Sequence, residues 1–434
     1  MQTKLDEISG LPQIISNAGW LLADRVLRIG VGLIVGAWIA RYLGPEQFGL
    51  YSYAIAFVGM FGFLAALGLD SIVVRELVRT PESKDEILAT TFALKFVGGI
   101  VVIGVSVATI QVLRPDDSLS RWLVAVVGAG IVFQAFDAID YLFQAQLKSR
   151  YTVVARNTAF AIMTIVRIAL LYMGAPLLAF ACAASAEIAL GAIGLLVTYQ
   201  RLGHIILKLR GGLVRARTLL AGSWPLMLSS LGVWVYMRVD QLMLGTMADD
   251  RTLGIYSAAV RLAEAWYFVP MVIVSSVFPS IVQLKNQDPH LYYQRVQKLF
   301  NLMSALSYAV VIPTSFLAGP IITLLFGPSY LEAAPILLVL MWSGLFVSLG
   351  VAREAWIVTE GLAPFSLATT IVGAVCNVAL NLLLIPRYGA MGAAVATLVA
   401  QWAAVSLSTL FRHETRPVFR MQAKAVLLWG GIRL

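Results

Sequence analysis

Charge, cysteine and histidine are all scarce in this 434-residue chain. Only 13% of its residues are charged, it has two cysteines and three histidines, and 59% of it is hydrophobic. So little charge cannot solvate the surface of a water-soluble fold of this size. The mean hydropathy of +0.84 places the chain among membrane proteins. Cys182 and Cys376 both fall in apolar runs, which gives no disulfide framework and no zinc pattern; they read as small hydrophobes. His204, His290 and His413 sit in loops, apart from any candidate nucleophile, and no Walker sequence occurs. Gly128-Ala129-Gly130 lacks the third glycine and the preceding strand of a nucleotide fingerprint, so it reads as helix packing. These absences point away from an enzyme and from any cofactor or metal. The formal charge of +9 is scattered over short loops, which suits membrane orientation and contact with anionic membrane lipids and speaks against a nucleic-acid partner.

What is present is a series of apolar runs, each long enough to span a bilayer at about 20 residues per crossing. About twelve are expected: 15–43, 49–78, 87–113, 121–147, 151–173 and 176–200, then 217–246, 253–283, 292–317, 333–359, 362–385 and 388–411. Lys and Arg concentrate in alternate loops, as at Arg79, Lys84, Lys148, Arg150, Arg201, Lys208 and Arg210, while the other loops hold little beyond Arg41, Arg114, Arg121, Arg251 and Arg387. That bias predicts both termini in the cytoplasm. The first twelve residues are polar and the first apolar run is too long for a signal core, so the first helix is expected to stay as an anchor. An internal repeat supports two similar halves: Phe48-Gly49-Leu50-Tyr51-Ser52 is echoed by Leu253-Gly254-Ile255-Tyr256-Ser257. The expected organisation is an all-α integral membrane protein with a cytoplasmic N-terminus (1–13), a first lobe (14–202), a cytoplasmic loop (203–216), a second lobe (217–412) and an amphipathic cytoplasmic tail (413–434). Residues 320–335 are expected to form an interfacial or re-entrant turn. The tail is expected to lie on the inner leaflet.

Several charges fall inside these runs. From Asp24, steps of four residues reach Arg28, Gly32, Gly36 and Ala40, a stripe of charge followed by small residues on one helix face. A charge facing lipid at mid-bilayer costs roughly 3 kcal/mol or more, so such a stripe must face protein or a wet cavity. Arg28, Arg238, Arg261 and Glu264 lie too deep to reach headgroups and are expected in a polar lumen. A guanidinium stays charged there and grips phosphate or carboxylate with paired hydrogen bonds. A cationic lumen implies an anionic cargo, whose outward movement an inside-negative potential assists by about 2.3 kcal/mol per charge per 100 mV. Asp24, Asp137, Asp140, Glu187, Asp240 and Glu264 are candidates either for carrying a coupling ion or for structural pairing. Asp24 beside Arg25 could be a local pair, and Asp137 and Asp140 could be partners of an arginine on the first or second helix. Lys95, Asp70, Arg75, Arg156 and Arg353 either snorkel to headgroups or face inward. Asn377, Asn381 and Gln401 read as interhelical hydrogen-bonders.

The run Ala37-Trp38-Ile39-Ala40-Arg41-Tyr42-Leu43-Gly44-Pro45-Glu46-Gln47-Phe48-Gly49-Leu50-Tyr51-Ser52, with Leu67-Gly68-Leu69-Asp70 and Val74-Arg75-Glu76, resembles Wzx-type O-antigen and exopolysaccharide flippases. These belong to the multidrug/oligosaccharidyl-lipid/polysaccharide (MOP) exporter superfamily. Arg238-Val239-Asp240-Gln241 and the echo at Gly254 are similar to the second lobe of the same group. The resemblance implies two six-helix lobes in a V, as in the MATE-like MOP fold, and alternating access. It further implies transfer of undecaprenyl-diphosphate-linked oligosaccharide from the cytoplasmic to the periplasmic leaflet of a bacterial inner membrane, with a polysaccharide polymerase and a chain-length regulator as partners. The implied cationic, diphosphate-holding lumen matches Arg25, Arg28, Arg238 and Arg261 by type and depth. The related lipid II flippases carry two extra helices that have no counterpart here. A multidrug or cation antiporter of the same superfamily is the alternative, but its lumen should be acid-rich, against the arginine excess here. A polymerase or ligase would need a large outer loop bearing catalytic residues, and every outer loop is short.

Overall fold

The computed structural model describes residues 2–203 and 211–427, with side chains from Arg28 onward except at positions 286 and 363. The side chains of Asp24 and Arg25, and most of the basic loop between the expected lobes, lie outside the described residues. The described chain is helical, with no strand. This is the form that satisfies every backbone N–H and C=O internally when no water is at hand. Nine of the described helices are long and apolar enough to cross a membrane, and one bent pair passes the same test together. The protein is a multi-pass membrane protein. The expected total of twelve crossings and its sidedness are taken up as a proposal below.

Glycines divide the longest helices. Helix α1 (Gln2–Phe61) turns at Gly44, whose φ is 73°, and α14 (Ala363–Val405) turns at Gly389, whose φ is 53°. A side chain at either position would be strained in that left-handed backbone. Gly44 falls in the loop the sequence places at 43–49, and Gly389 one residue past the loop placed at 385–388. The expected single span 49–78 is broken instead. After α1 come α2 (Phe63–Ala66) and α3 (Asp70–Arg79), with Leu67 and Gly68 at positive φ between them, and the stretch Phe63–Arg79 is bent by 41° from Arg28–Phe61. The span expected at 121–147 is likewise two helices, α5 (Ser118–Val132) and α6 (Asp137–Ala145), joined by a 3₁₀ turn.

The remaining helices are α4 (Lys84–Leu113), α7 (Arg150–Tyr172), α8 (Leu177–Arg201), α9 (Leu213–Met247), α10 (Asp250–Glu264), α11 (Phe268–Gln287), α12 (Pro289–Phe326), α13 (Ala333–Glu360) and α15 (Arg416–Val426). The interfacial or re-entrant turn expected over 320–335 is shorter than expected. Helix α12 runs through Pro313 and Pro320 to Phe326, as prolines can in a membrane helix whose surroundings re-satisfy the freed backbone groups. Only the short connection with Gly327 (φ 93°) and the 3₁₀ turn Pro328–Tyr330 separates it from α13. The tail forms α15 as expected. It packs on α12, with Gln297 Nε2 donating to Met421 O at 3.0 Å and Tyr308 OH to Val426 O at 2.7 Å. Arg416, Arg420 and Lys424, four residues apart, are exposed on its other side.

The main core is assembled where the two repeat echoes cross. Phe48, Tyr51, Leu253, Ile255 and Tyr256 are buried in one apolar cluster with α5, α12 and α13. At the crossing itself the two backbones nearly touch. A Cβ on Gly49 would land on the Asp250 carbonyl oxygen, and one on Gly254 would land on the Pro45 carbonyl oxygen. Each echo thus supplies the glycine that admits the other. Around the crossing, Tyr330 OH donates to Ala40 O at 2.7 Å. Arg114 lies over the Tyr53 ring, pairs with Asp250 at 3.0 Å and donates to Gly245 O. In the adjoining turn the Thr252 backbone N–H donates to Asp249, whose carboxyl it holds below the usual carboxylate range. The start of α9 is tied back to α4, since Gly212 N donates to Thr90 Oγ1 at 3.2 Å and Arg215 pairs with Glu86 at 3.5 Å.

The crossing makes a direct prediction. Gly49→Ala and Gly254→Ala should each lower thermal stability in detergent, by about 1–3 kcal/mol, because the methyl group overlaps backbone that cannot step aside. Gly104→Ala, where nothing lies within 4 Å, should be neutral or stabilising by up to about 1 kcal/mol. Equal melting behaviour of all three variants would refute the close crossing.

Candidate functional site: arginine-lined cavities at the repeat crossing

The crossing sets α10 beside the first arm of α1, and Arg261 reaches across the gap. Its Nη2 donates to Gly32 O at 3.1 Å, and a Cβ at Gly36 would fall on its guanidinium. The small-residue stripe in the sequence is therefore the surface that receives this arginine. Arg261 is also the wall between two cavities. The first, of about 320 Å³, is lined by Arg28, Gly32, Gly36, Tyr51, Phe160, Arg167 and Glu187. The second, of about 400 Å³, is lined by Ser52, Trp234, Arg238, Gln241, Ser257 and Glu264. A third, of about 330 Å³, shares Arg28 and Glu187 with the first and extends to Asp137 and Arg156.

The charges in these cavities are incompletely neutralised. Glu187 on α8 serves two arginines, Arg167 at 2.8 Å and Arg28 at 3.8 Å. Arg28 also lies 5.0 Å from the Phe160 ring centroid and hydrogen-bonds Asn157 at 3.4 Å. Arg238 pairs with Glu264 at 2.8 Å. Around the first two cavities, four guanidiniums (Arg28, Arg167, Arg238, Arg261) face two carboxylates (Glu187, Glu264), an excess of two positive charges. Three of the arginines named from sequence as lumen residues are thus brought together, and the side chain of Arg25 lies outside the described residues. Arg167 was not named from sequence as a lumen residue. Its signal was available in retrospect: it is a half-buried charge on α7 with no carboxylate in its own helix.

A second group of charges is paired mainly within itself and reaches the third cavity at Asp137 and Arg156. Lys95, 2% exposed, binds Asp137 at 3.1 Å and Tyr141 OH at 2.9 Å. Tyr141 in turn donates to Asp70 at 2.7 Å. Arg156 binds Asp137 at 3.0 Å and Asp140 at 3.2 Å, and Asp140 accepts from Thr152 at 2.6 Å and Gln144 at 3.1 Å. The charged partners of Asp137 and Asp140 are therefore on α4 and α7, not on the first or second helix as expected. Lys95 does not snorkel. Nor does Arg353, 6% exposed, which donates to Ala404 O at 2.6 Å and Val405 O at 3.2 Å. Arg75 stays largely exposed beside Glu76.

Asp240 differs from every other candidate carboxylate. It lies two residues from Arg238 and points away from the arginine cavities. It accepts from Tyr256 OH and from its neighbour's backbone N–H at 2.7 Å, with Thr397 Oγ1 at 3.5 Å. A hydrogen-bonded series runs on from Thr397 to Asn377 at 3.4 Å and Asn381 at 2.9 Å, where the buried Asn381 Oδ1 has no described partner. Gln401 accepts from Tyr236 OH at 2.7 Å, joining α14 to α9 as expected of an interhelical bond.

Comparison with known proteins agrees with this architecture. A family model described as polysaccharide biosynthesis protein matches residues 14–285, and one described as MatE matches residues 225–383. The chain belongs to the polysaccharide biosynthesis protein family. The resemblance to Wzx-type flippases of the MOP superfamily, carried by residues 37–52 and 238–241, therefore holds, and the protein is a MOP-superfamily transporter. Among curated relatives it is 25% identical to the probable flippase AglR of Haloferax volcanii, over 87% of this chain and 78% of that protein. It is 19% identical to the capsular polysaccharide biosynthesis protein CapF of Staphylococcus aureus, over 90% of this chain and 97% of that one. Among solved structures, the lipid II flippase MurJ in an inward closed conformation matches with a TM-score of 0.69 at 16% identity, covering 94% of this chain and 90% of that one. An inward-facing multidrug MATE transporter matches at 0.70 and 16%, covering 91% and 95%. The fold is the MATE/MurJ fold.

The Lys95–Asp137 pair makes its own prediction. Lys95→Met should destabilise the protein, because removing one member of a buried ion pair costs about 3–5 kcal/mol. In a double-mutant cycle with Asp137→Asn on thermal unfolding in detergent, the two changes should couple by about 1–3 kcal/mol. Strict additivity would show that the two groups do not hold each other.

Proposed function

We propose that this chain is a flippase that moves an undecaprenyl-diphosphate-linked oligosaccharide from the cytoplasmic to the periplasmic leaflet of a bacterial inner membrane, for O-antigen or exopolysaccharide assembly. The observation that carries this reading is the unbalanced set of guanidiniums around the cavities joined at Arg261. A diphosphate supplies the missing negative charge, and its oxygens accept the paired hydrogen bonds that arginine offers. The names of the relatives, a probable flippase and a capsular polysaccharide biosynthesis protein, point to the same class of cargo. In this reading the glycan head group and diphosphate occupy the cavities while the polyprenyl tail stays in lipid. Arg25 joins Arg28, Arg238 and Arg261 on the diphosphate path.

The accompanying topology is twelve crossings with both ends in the cytoplasm, in lobes 14–202 and 217–412 that rock against each other. A polysaccharide polymerase and a chain-length regulator then act on the delivered unit. Transport is coupled to H⁺ or Na⁺. Among the candidate carboxylates, Asp240 suits that role by its surroundings. Its described partners are hydroxyls and an amide, so a proton or small cation adds charge where no arginine already cancels it. Glu187, Glu264, Asp137 and Asp140 are engaged by arginine or lysine and serve as pairing groups. An acid-rich drug site is not what lines these cavities, which disfavours the antiporter alternative.

Arg28→Ala and Arg261→Ala should each cut movement of a prenyl-diphosphate-linked glycan in proteoliposomes by about 30-fold or more, the loss of roughly 2 kcal/mol or above from an anion-binding arginine. Protein level and melting temperature should stay near normal. Unchanged flipping in both variants would sink the proposal.

A further inference from the structure

The two cavities that meet at Arg261 differ in chemistry. In the first, a single carboxylate, Glu187, is divided between Arg28 and Arg167, and Arg261 adds a third guanidinium. In the second, Arg238 is matched by Glu264 at 2.8 Å, which leaves that pair neutral. Apart from Arg261 at the junction with the first cavity, the rest of the second wall carries no charge: Ser52, Gln241 and Ser257 offer hydrogen bonds and the indole of Trp234 an aromatic surface, among apolar groups such as Ile55 and Val260. Ser257, a residue of the cavity lining, is 6% exposed, and its buried Oγ has no hydrogen-bond partner among the described residues. A buried hydroxyl left unsatisfied costs free energy, which a ligand hydroxyl placed there would recover. Trp234 is held by Gly59 on the opposite helix, where an added Cβ would come within 2.9 Å of its Nε1. A fixed aromatic face beside several neutral donors and acceptors suits a pyranose ring, whose C–H face is apolar and whose rim is hydroxylated. The cavity volume of about 400 Å³ is in the range of small-ligand sites, about 300–1,000 Å³.

We propose that the second cavity, at Trp234, Gln241, Ser257 and the Arg238–Glu264 pair, is the subsite for the first sugar of the glycan, and that it selects an uncharged sugar. The diphosphate is held next door by Arg28, Arg167 and Arg261. This assignment rests on the flippase reading and adds to it a division of labour and a specificity. The covalent order of the cargo, phosphate then sugar, matches the adjacency of the two cavities, with Arg261 shared at the junction. A uronic acid in the second cavity would have to break the Arg238–Glu264 pair or sit beside Glu264; a hexose or N-acetylhexosamine would not.

The test uses the full-length protein in detergent and compares equilibrium affinities for five probes. These are farnesyl diphosphate alone and farnesyl diphosphate linked to glucose, galactose, N-acetylglucosamine or glucuronic acid. At least one neutral conjugate should bind about tenfold tighter than the bare diphosphate, the gain from one stacked ring and a satisfied hydroxyl, and the glucuronic acid conjugate should show no gain. Trp234→Ala and the smaller change Ser257→Ala should each erase most of that gain while leaving affinity for farnesyl diphosphate unchanged, which also shows that the variants are folded. Arg167→Ala should weaken all five probes alike. The inference is overturned if no neutral sugar improves on the bare diphosphate, or if Trp234→Ala weakens the bare diphosphate as much as its conjugates. Failure of every probe to bind the wild-type protein would instead overturn the flippase reading on which it rests.

Discussion

A guanidinium left in hydrocarbon is costly, and a guanidinium fully paired has nothing to offer a ligand. The middle of this protein is arranged between those limits. Arg261 is turned off the lipid face and set on the Gly32 carbonyl, Arg28 and Arg167 divide one glutamate, and Arg238 has a glutamate to itself. Elsewhere the same constraint is met differently. Arg353 is held through its Nη atoms by helix-end carbonyls of α14 and by Thr369, with no carboxylate involved and its Nε without a described partner, and Lys95 is held by a carboxylate and a phenol.

What allows Arg261 to reach α1 is the glycine crossing. Gly49 and Gly254 let α10 and the second arm of α1 approach until backbone meets backbone. A larger residue at either would hold the helices apart and carry Arg261 away from Gly32. The repeat is therefore more than a trace of similar halves. The same short motif, read in each half, builds the contact that draws the two halves together, and the arginine one helical turn beyond the second copy is delivered to the cavity wall.

Much of this was legible in the sequence because lipid solvent leaves few choices. Apolar length gave the helices, and the gaps between apolar runs placed the turn at Gly44 and, to within a residue, the one at Gly389. Charge in a run gave Arg28, Arg238 and Arg261, which cannot face acyl chains. What could not be read was partnership. Asp137 and Asp140 meet Lys95 on α4 and Arg156 on α7, contacts between helices distant in sequence, and hydropathy averaged over twenty residues registers neither such contacts nor a break at Leu67 and Gly68 or a single 3₁₀ turn. Arg167 was visible as a deep charge, but its place beside Arg28 depends on Glu187 arriving from α8. Pro320 misled for a related reason. Proline stops helices in water, whereas a helix among other helices in lipid accommodates it.

The two polar systems differ in how completely their donors are used, and that difference separates scaffold from site. In the network around Asp137 and Asp140, hydroxyl, amide, ammonium and guanidinium groups converge on the carboxylates, so shifting any one group strands another. Such a cluster resists rearrangement. Arg261, by contrast, carries five N–H donors, and the described bond to Gly32 O uses one of them. Its neighbours Arg28 and Arg167 compete for the two oxygens of Glu187. An anion entering between them gains several charge-assisted bonds without first breaking a complete set. A partly satisfied cationic cluster is tolerable in the folded protein and still able to bind, and that balance is what a site must keep if it is to take up a phosphorylated cargo and later release it.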